Sequence, residues 1–240
     1  MLPLSSYCSP KMHRPLVGLK WAQTIDGQMA DDQNRSKWIS GNEELIYTHQ
    51  TRSQYDGVCV GASTFLADLS KLTVRNIPIA NDFTQPIRVI FDPRNRVDYE
   101  DKKLSNVLNE SVRPSIIMQT RSSSYSKSSQ LFVLNIKESL EKDLGMVRLH
   151  QCFENIFHRQ LRALMIEGGA KTIALFLEKN LVDMAHISIA PMITGGKKNR
   201  IYLNKLLSDA YQFNFIRQFN KGADTVVELV RQQKEEYSER

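Results

Sequence analysis

At 240 residues with 41% hydrophobic positions, the chain can bury one large α/β core, and no stretch approaches the ~20 apolar residues that cross a bilayer. The net charge of +6 and the pI near 9.2 favour anionic partners, but the basic residues are scattered without interleaved aromatics, which argues against nucleic acid and for an anionic small molecule. Cys8, Cys59 and Cys152 form no C-x-x-C pair and Met1 to Ser6 lacks the charged start and apolar run of a secretory signal, so a cytoplasmic protein with reduced thiols and no zinc site is expected.

Short apolar runs alternate with helical patterns, which predicts a largely parallel sheet. Leu16 to Trp21 is the first strand, followed by the turn Asp26-Gly27. Glu43 to Arg52 is polar with apolar positions at Leu45 and Ile46, and so predicts a surface helix. Gly57 to Val60 is a short buried strand that runs into Gly61-Ala62-Ser63-Thr64, and Ile87 to Phe91 and Ser115 to Met118 are two more strands. Residues 121–130 are Ser-rich and polar, and predict an exposed loop. Phe153, Ile156, Phe157 and Leu161 recur at helical spacing, predicting an amphipathic helix that covers the sheet. Leu164 to Ile166 is a strand, Thr172 to Lys179 a helix and His186 to Ala190 a further strand. Phe213 to Phe219 and Thr225 to Val230 flank the turn residues Asn220 to Asp224 and predict an antiparallel hairpin.

Three segments carry candidate chemistry. In Leu164-Met165-Ile166-Glu167-Gly168-Gly169-Ala170 an apolar strand ends in an acid, two glycines follow and a helix begins. Glycines there let backbone approach a ligand and the helix start offers free N–H groups, which suits a pyrophosphate, although an ordinary turn has the same composition and the G-x-G-x-x-G spacing is absent. Val60-Gly61-Ala62-Ser63-Thr64 repeats the pattern, with Thr64 either a helix cap or a ligand contact. Ser36-Lys37-Trp38, Arg52 and Leu72-Thr73-Val74-Arg75 supply hydroxyl, indole and guanidinium groups suited to a phosphate, or to an ordinary solvated surface.

The order of these motifs resembles a known family. Lys20-Trp21-Ala22-Gln23-Thr24-Ile25-Asp26-Gly27, Ser36 to Ser40, Val60 to Asp68, Leu72 to Arg75, Gln85 to Val89, Ile166 to Ala170 and Leu181-Val182-Asp183 leading to Ala190 to Gly196 match, in register, the reductase half of the bifunctional riboflavin-biosynthesis deaminase-reductase (RibD) and its stand-alone relatives. The resemblance implies a three-layer α/β/α sandwich of dihydrofolate-reductase-like type with a mostly parallel central sheet, spanning residues 14–232 between an extension at 1–13 and a polar tail at 233–240. It implies a homodimer that uses NADPH to reduce the ribosyl group of a 5-amino-6-ribosylamino-pyrimidine 5′-phosphate to ribityl.

By the same resemblance, Trp38, Thr64, Asp68 and the run Gly169, Ala170, Lys171, Thr172, Ile173, Ala174 and Leu175 line the NADPH site. Ala22, Ser36, Arg52, Leu72 and Arg75 hold the phosphorylated substrate, and Glu167 its ribose. Lys20, Glu167 and Asp68 are the catalytic candidates. Two departures stand out: Asp68-Leu69-Ser70-Lys71 replaces the family's Asp-Asp-Pro, and Pro93 replaces a serine beside the cofactor, where Arg94 or Arg96 is the substitute contact. The His-x-Glu and Pro-Cys-x-x-Cys set of a zinc deaminase is missing around His13, His49, His150, His158 and His186, so this chain does not deaminate by that route. Other readings are a same-fold NADPH reductase of another phosphorylated heterocycle or a pterin-like substrate, and a non-catalytic binding module.

Overall fold

The runs Gly57–Gly61, Ile87–Asp92, Ser115–Gln119 and Ala163–Glu167 are buried at every position, as strands covered on both faces must be. The computed structural model describes residues 4, 13–33, 35–36, 39–109, 113–121, 130–196, 198–204 and 212–232. Cys8, Lys37, Trp38, most of the expected extension and Ser-rich loop, and the whole polar tail lie outside that set. In chain order the elements are β1 (Leu16–Thr24), α1 (Asn42–Arg52), β2 (Gly57–Gly61), α2 (Ala62–Asp68), β3 (Ile87–Asp92), α3 (Lys102–Asn109), β4 (Ser115–Gln119), β5 (Leu131–Asn135), α4 (Leu140–Asp143), α5 (Met146–Phe157), β6 (Ala163–Glu167), α6 (Ala170–Glu178), β7 (Met184–Ala190), β8 (Phe213–Lys221) and β9 (Asp224–Arg231).

The nine strands form one sheet in the order β5-β4-β3-β2-β6-β1-β7-β9-β8. All pairings from β5 to β7 are parallel, while β9 runs antiparallel to β7 and to β8. The expected parallel sheet closed by a C-terminal hairpin is therefore what forms. Alternate residues of each strand feed two cores. On one face Leu19, Val89, Ile116 and Ile166 pack against Phe153 of α5 and Phe176 of α6. On the other face Val58, Val60, Ile90 and Met165 pack against Phe65 of α2 and Leu108 of α3. The result is three layers, α/β/α.

Several details differ from expectation. Helix α5 stops at Phe157, where His158 takes a left-handed φ of 52° and its N–H bonds the Glu154 carbonyl. Leu161 is buried beyond that stop, so its helical spacing from Phe153 is not helical geometry. β5, α2, α3 and α4 have no counterpart among the expected elements: each is four to eight residues long, too short for a periodicity to register. Helix α1 forms where expected but faces the other way. Leu45 and Ile46 are exposed at 43% and 41%, whereas Glu44, Tyr47, Thr48, His49, Thr51 and Arg52 are buried.

Candidate active site

The reversed burial of α1 follows from what lies beneath it. Glu167 of β6 is paired in register with Lys20 of β1, Lys20 with His186 of β7, His186 with Glu228 of β9, and Glu228 with Arg217 of β8. Directly paired residues share a face, so these side chains form a polar row across five adjacent strands. An apolar helix face would leave that row without partners, at a cost of several kcal/mol per ion. α1 supplies the partners instead.

The pairs are close. Lys20 Nζ lies 2.5 Å from Glu44 Oε1. Arg52 grips Glu167 with both edges of its fork, Nε to Oε1 at 2.5 Å and Nη2 to Oε2 at 2.7 Å. Glu44 also accepts from Ser188 Oγ at 2.8 Å and Thr48 Oγ1 at 3.1 Å. Tyr47 donates to Glu228 at 2.7 Å and its oxygen lies 3.1 Å from His186 Nδ1, while Tyr55 Oη reaches His186 Nε2 at 2.9 Å. Because Tyr47 gives its proton to Glu228, it must accept from His186 Nδ1–H.

These contacts fix the charge states. Burial pushes the Glu167 carboxyl up, but the charge and hydrogen bonds of Arg52, with Lys20 and His49 nearby, outweigh it and hold Glu167 below its ordinary value. Glu44 is likewise raised by burial and lowered further by Lys20 and by the Ser188 and Ser40 hydroxyls, with a net fall. Arg52 is lowered by burial and raised more strongly by Glu167. Glu44, Glu167 and Arg52 are therefore ionised at neutral pH.

A second feature lies one strand away. β2 and β6 are adjacent and parallel, so the turns that follow them stand side by side. An added Cβ on Gly61 would lie 2.3 Å from Thr172 Oγ1 of α6, and one on Gly168 or Gly169 would lie 3.2 Å from the Thr64 side chain of α2. Gly61 thus leaves open the space that Thr172 fills, and Gly168 and Gly169 pass close against Thr64. Gly168 has φ +91°, which favours glycine, and Gly169 is the residue before the first turn of α6. The cap position of α2 is Gly61 with no side-chain cap bond, so Thr64 is not a capping residue but a packing partner of the glycine turn. The α6 start presents backbone N–H groups, a cradle suited to a pyrophosphate.

Three guanidiniums shape the segment after α2. Arg88 Nη1 bonds the Ser70 carbonyl at 3.4 Å, Arg113 Nη2 the Leu72 carbonyl at 2.6 Å and Arg52 Nη1 the Thr73 carbonyl at 3.0 Å. Arg88 and Arg113 have no carboxylate partner among the described residues. Burial pushes Arg88 down to about 10, and burial with Arg88 and Arg52 pushes Arg113 down to about 9, yet both remain cations at neutral pH and make the segment electropositive.

The sequence-predicted residues therefore separate into groups. Lys20, Arg52 and Glu167 meet in the buried row, and Ala22 stands in register with Ser188, whose hydroxyl bonds Glu44. Leu72 and Arg75 lie on the pinned segment, Leu72 buried with φ 53° and Arg75 exposed. Thr64, Gly169 and Thr172 meet at the paired turns, with Ala170 and the exposed Lys171 in the first turn of α6. The side chains of Ile173 and Ala174 are buried and Leu175 packs on the core, so what this stretch offers a ligand is backbone. Ser36 and Asp68 are exposed and not drawn into the buried row, and Trp38 lies outside the described residues. Near the departure at Pro93, Arg96 Nη1 bonds Ser63 Oγ at 2.7 Å at the start of α2. Sequence reasoning missed Glu44, Tyr47, His49, Arg88, Arg113 and Ser188. The signal for Glu44 and Tyr47 was their spacing of three on α1, which puts them on one helix face; the others gave none. Cys59 and Cys152 are buried free thiols, pushed by burial up to about 12 and 11, and no group of metal-ligating side chains occurs among the described residues.

Comparison with known proteins reaches the same place. Over 182 residues the chain is 33% identical to the riboflavin biosynthesis protein RibD of Aquifex aeolicus, covering 76% of this chain but 48% of that protein, so it spans about half the length of that relative. It is 32% identical over 225 residues to the 2,5-diamino-6-ribosylamino-4(3H)-pyrimidinone 5′-phosphate reductase of Methanothermobacter thermautotrophicus, covering 90% of this chain and 97% of that one. Among solved structures it shares the fold of Acinetobacter baumannii RibD, with a TM-score of 0.71 at 22% identity over 92% of this chain and 59% of that one. It also shares the fold of the Saccharomyces riboflavin biosynthesis reductase Rib7, with a TM-score of 0.68 at 20% identity over 96% and 95% of the two chains. The family model described as the RibD C-terminal domain matches residues 15–227, which takes in every element from β1 through β8, the first half of β9, the polar row except Glu228, and both glycine turns. The chain belongs to the RibD C-terminal domain family.

Proposed function

We propose that the chain is an NADPH-dependent reductase that converts the ribosyl group of a phosphorylated ribosylamino-pyrimidine to ribityl, with the 2,5-diamino-pyrimidinone as substrate. The observation that carries this reading is the buried Lys20–Glu167 row, with Arg52 bonding both Glu167 and the electropositive segment and the glycine turn starting one residue after Glu167. The archaeal relative that the chain covers over 97% of its length is named for that substrate.

The paired turns fit a dinucleotide, because the threonine-filled gaps bring backbone rather than side chains to the start of α6. Gly169, Ala170, Lys171 and Thr172 would hold the cofactor there, with Thr64 beside them. NADPH supplies the hydride in this chemistry. The chain's own part is to position and to handle protons. Glu167, kept ionised by Arg52, accepts hydrogen bonds from sugar hydroxyls. Lys20, oriented by Glu44, stands in register with that carboxylate and is the proton donor of the row. Arg75 on the pinned segment faces the phosphate. A homodimer acting in the cytoplasm belongs to the same reading.

Oxidation of NADPH, followed by absorbance with the diamino and the deaminated pyrimidine phosphates, tests it. Turnover with the diamino compound is expected; binding of NADPH without turnover on either compound would overturn the substrate assignment. Lys20→Ala and Glu167→Gln should each lower turnover by about a hundredfold or more while leaving NADPH affinity within a fewfold of the parent. Parent-like turnover in both variants would remove these residues from the chemistry.

A further inference from the structure

Three donors converge on one oxygen of Glu44. Its Oε1 lies 2.5 Å from Lys20 Nζ and accepts from Ser188 Oγ at 2.8 Å and from Thr48 Oγ1 at 3.1 Å. Ser188 belongs to β7 and Thr48 to α1, one turn after Glu44, so this oxygen is fixed from the sheet and from the helix at once. Glu44 is buried, and the Ser40 hydroxyl bonds its carboxylate as well. Two hydroxyls on the oxygen that meets Lys20 leave the amine nitrogen little choice of position.

Lys20 has a second carboxylate beside it. Glu167 is its directly paired neighbour on the adjacent parallel strand, both side chains rise from one face, and Glu167 feels the Lys20 charge. Among the described residues, however, Lys20 makes its ion pair with Glu44 and not with Glu167. Arg52 places one bond on each Glu167 oxygen, which leaves each oxygen a further lone pair. A sugar hydroxyl would use those lone pairs. Lys20 would take them first if nothing held it elsewhere, because opposite charges one strand apart in a buried row attract strongly.

We infer that Glu44 is a positioning residue that keeps Lys20 off Glu167. By drawing Nζ to its Oε1 it leaves the Glu167 lone pairs open for the sugar hydroxyls. Each cation of the row is thereby answered by its own carboxylate, Arg52 by Glu167 and Lys20 by Glu44, although strand register alone sets Lys20 against Glu167. Ser188 and Thr48 serve the same end at one remove, by holding Oε1. The substrate that benefits rests on the reductase reading; the placement of Lys20 does not.

In a crystal structure of Glu44→Gln, Lys20 Nζ should stand about 3 Å from a Glu167 oxygen. Ribose 5-phosphate, titrated into the full chain by calorimetry, should bind that variant about tenfold or more weakly than the parent. Adding Lys20→Met removes the competitor, so the affinity should return toward the parent value while turnover stays low. Glu44→Asp keeps the charge at shorter reach and should recover part of the loss. A merely structural Glu44 would lower the urea midpoint, and Lys20→Met would restore no affinity. Ser188→Ala loosens Oε1 without removing the carboxylate and should shift affinity the same way by a smaller factor; it decides the matter where Glu44→Gln does not fold. Parent-like affinity in the deciding variant, a loss that Lys20→Met leaves in place, or Lys20 still apart from Glu167 in Glu44→Gln would overturn the inference. The two readings fail separately. No turnover on any pyrimidine phosphate, with Lys20 seated on Glu167 in Glu44→Gln, would sink the reductase alone, whereas pyrimidine turnover with kcat and KM unchanged in Glu44→Gln would sink the Glu44 assignment alone.

Discussion

Thr172 sits where a side chain on Gly61 would go, and this residue-scale fit is open to direct test. Gly61→Ala places a methyl 2.3 Å from Thr172 Oγ1, inside any real contact distance. It should destabilise the fold by about 1–3 kcal/mol, as overpacking does, and weaken cofactor binding by shifting α6. Adding Thr172→Ala removes the clashing atoms while the Cβ stays at 3.6 Å, so the double variant should regain most of the loss. Urea titrations of the four proteins give the coupling energy, and additive effects would show that the turns do not interlock. The Arg52–Glu167 pair is a second case at this scale. Arg52→Leu leaves a buried carboxylate without its fork, and should cost about 3–5 kcal/mol.

At the scale of the element, α1 has its amphipathic sense inverted, and the two faces should respond accordingly. Ile46→Lys changes an exposed position and should alter stability by less than about 0.5 kcal/mol. Tyr47→Phe removes one hydroxyl that serves both Glu228 and His186 in a buried setting, and should cost about 1–3 kcal/mol. Equal costs for the two changes would contradict the orientation described. Helix type and boundaries were legible in the sequence because Asn42 to Arg52 is free of proline and glycine and carries acids early and a basic residue late. Orientation was not, because hydrophobic patterning assumes an apolar surface below, and here the surface below is a row of charges assembled from five strands. The segment after α2 shows the same limit. Leu69 ends α2 in the left-handed region at φ 47°, and Ser70 presents its carbonyl to Arg88, so the departure from Asp-Asp-Pro is absorbed as a helix stop and an anchor.

For the whole molecule, the buried titratable groups predict how stability depends on pH. His49 is held down to about 4 in the fold against an ordinary 6.5, so between those values only the unfolded chain binds its proton. Its contribution is complete above 6.5 and is lost as the pH falls toward 4, by on the order of 3 kcal/mol. Glu44 and Glu167 are also lowered in the fold, so their stabilisation is complete above the ordinary 4.5 and lost as the pH falls below it. Unfolding free energies measured by urea across this range should therefore fall in two stages. His49→Asn should remove the upper stage and leave the lower; a parent-like upper stage in that variant would place its origin elsewhere.

The sequence by itself determined the layers, the parallel sheet with its hairpin, and the family, because those depend on local periodicity, turn residues and the order of short motifs. It also placed Lys20, Arg52 and Glu167 among the residues of interest through that order. Only the tertiary structure decided what they touch. Lys20 and Glu44 are 24 residues apart and Arg52 and Glu167 are 115 apart, and no local pattern records which carboxylate answers which cation. That choice is made by strand register, since register sets which side chains share a level across the sheet and hence which polar face α1 must bury.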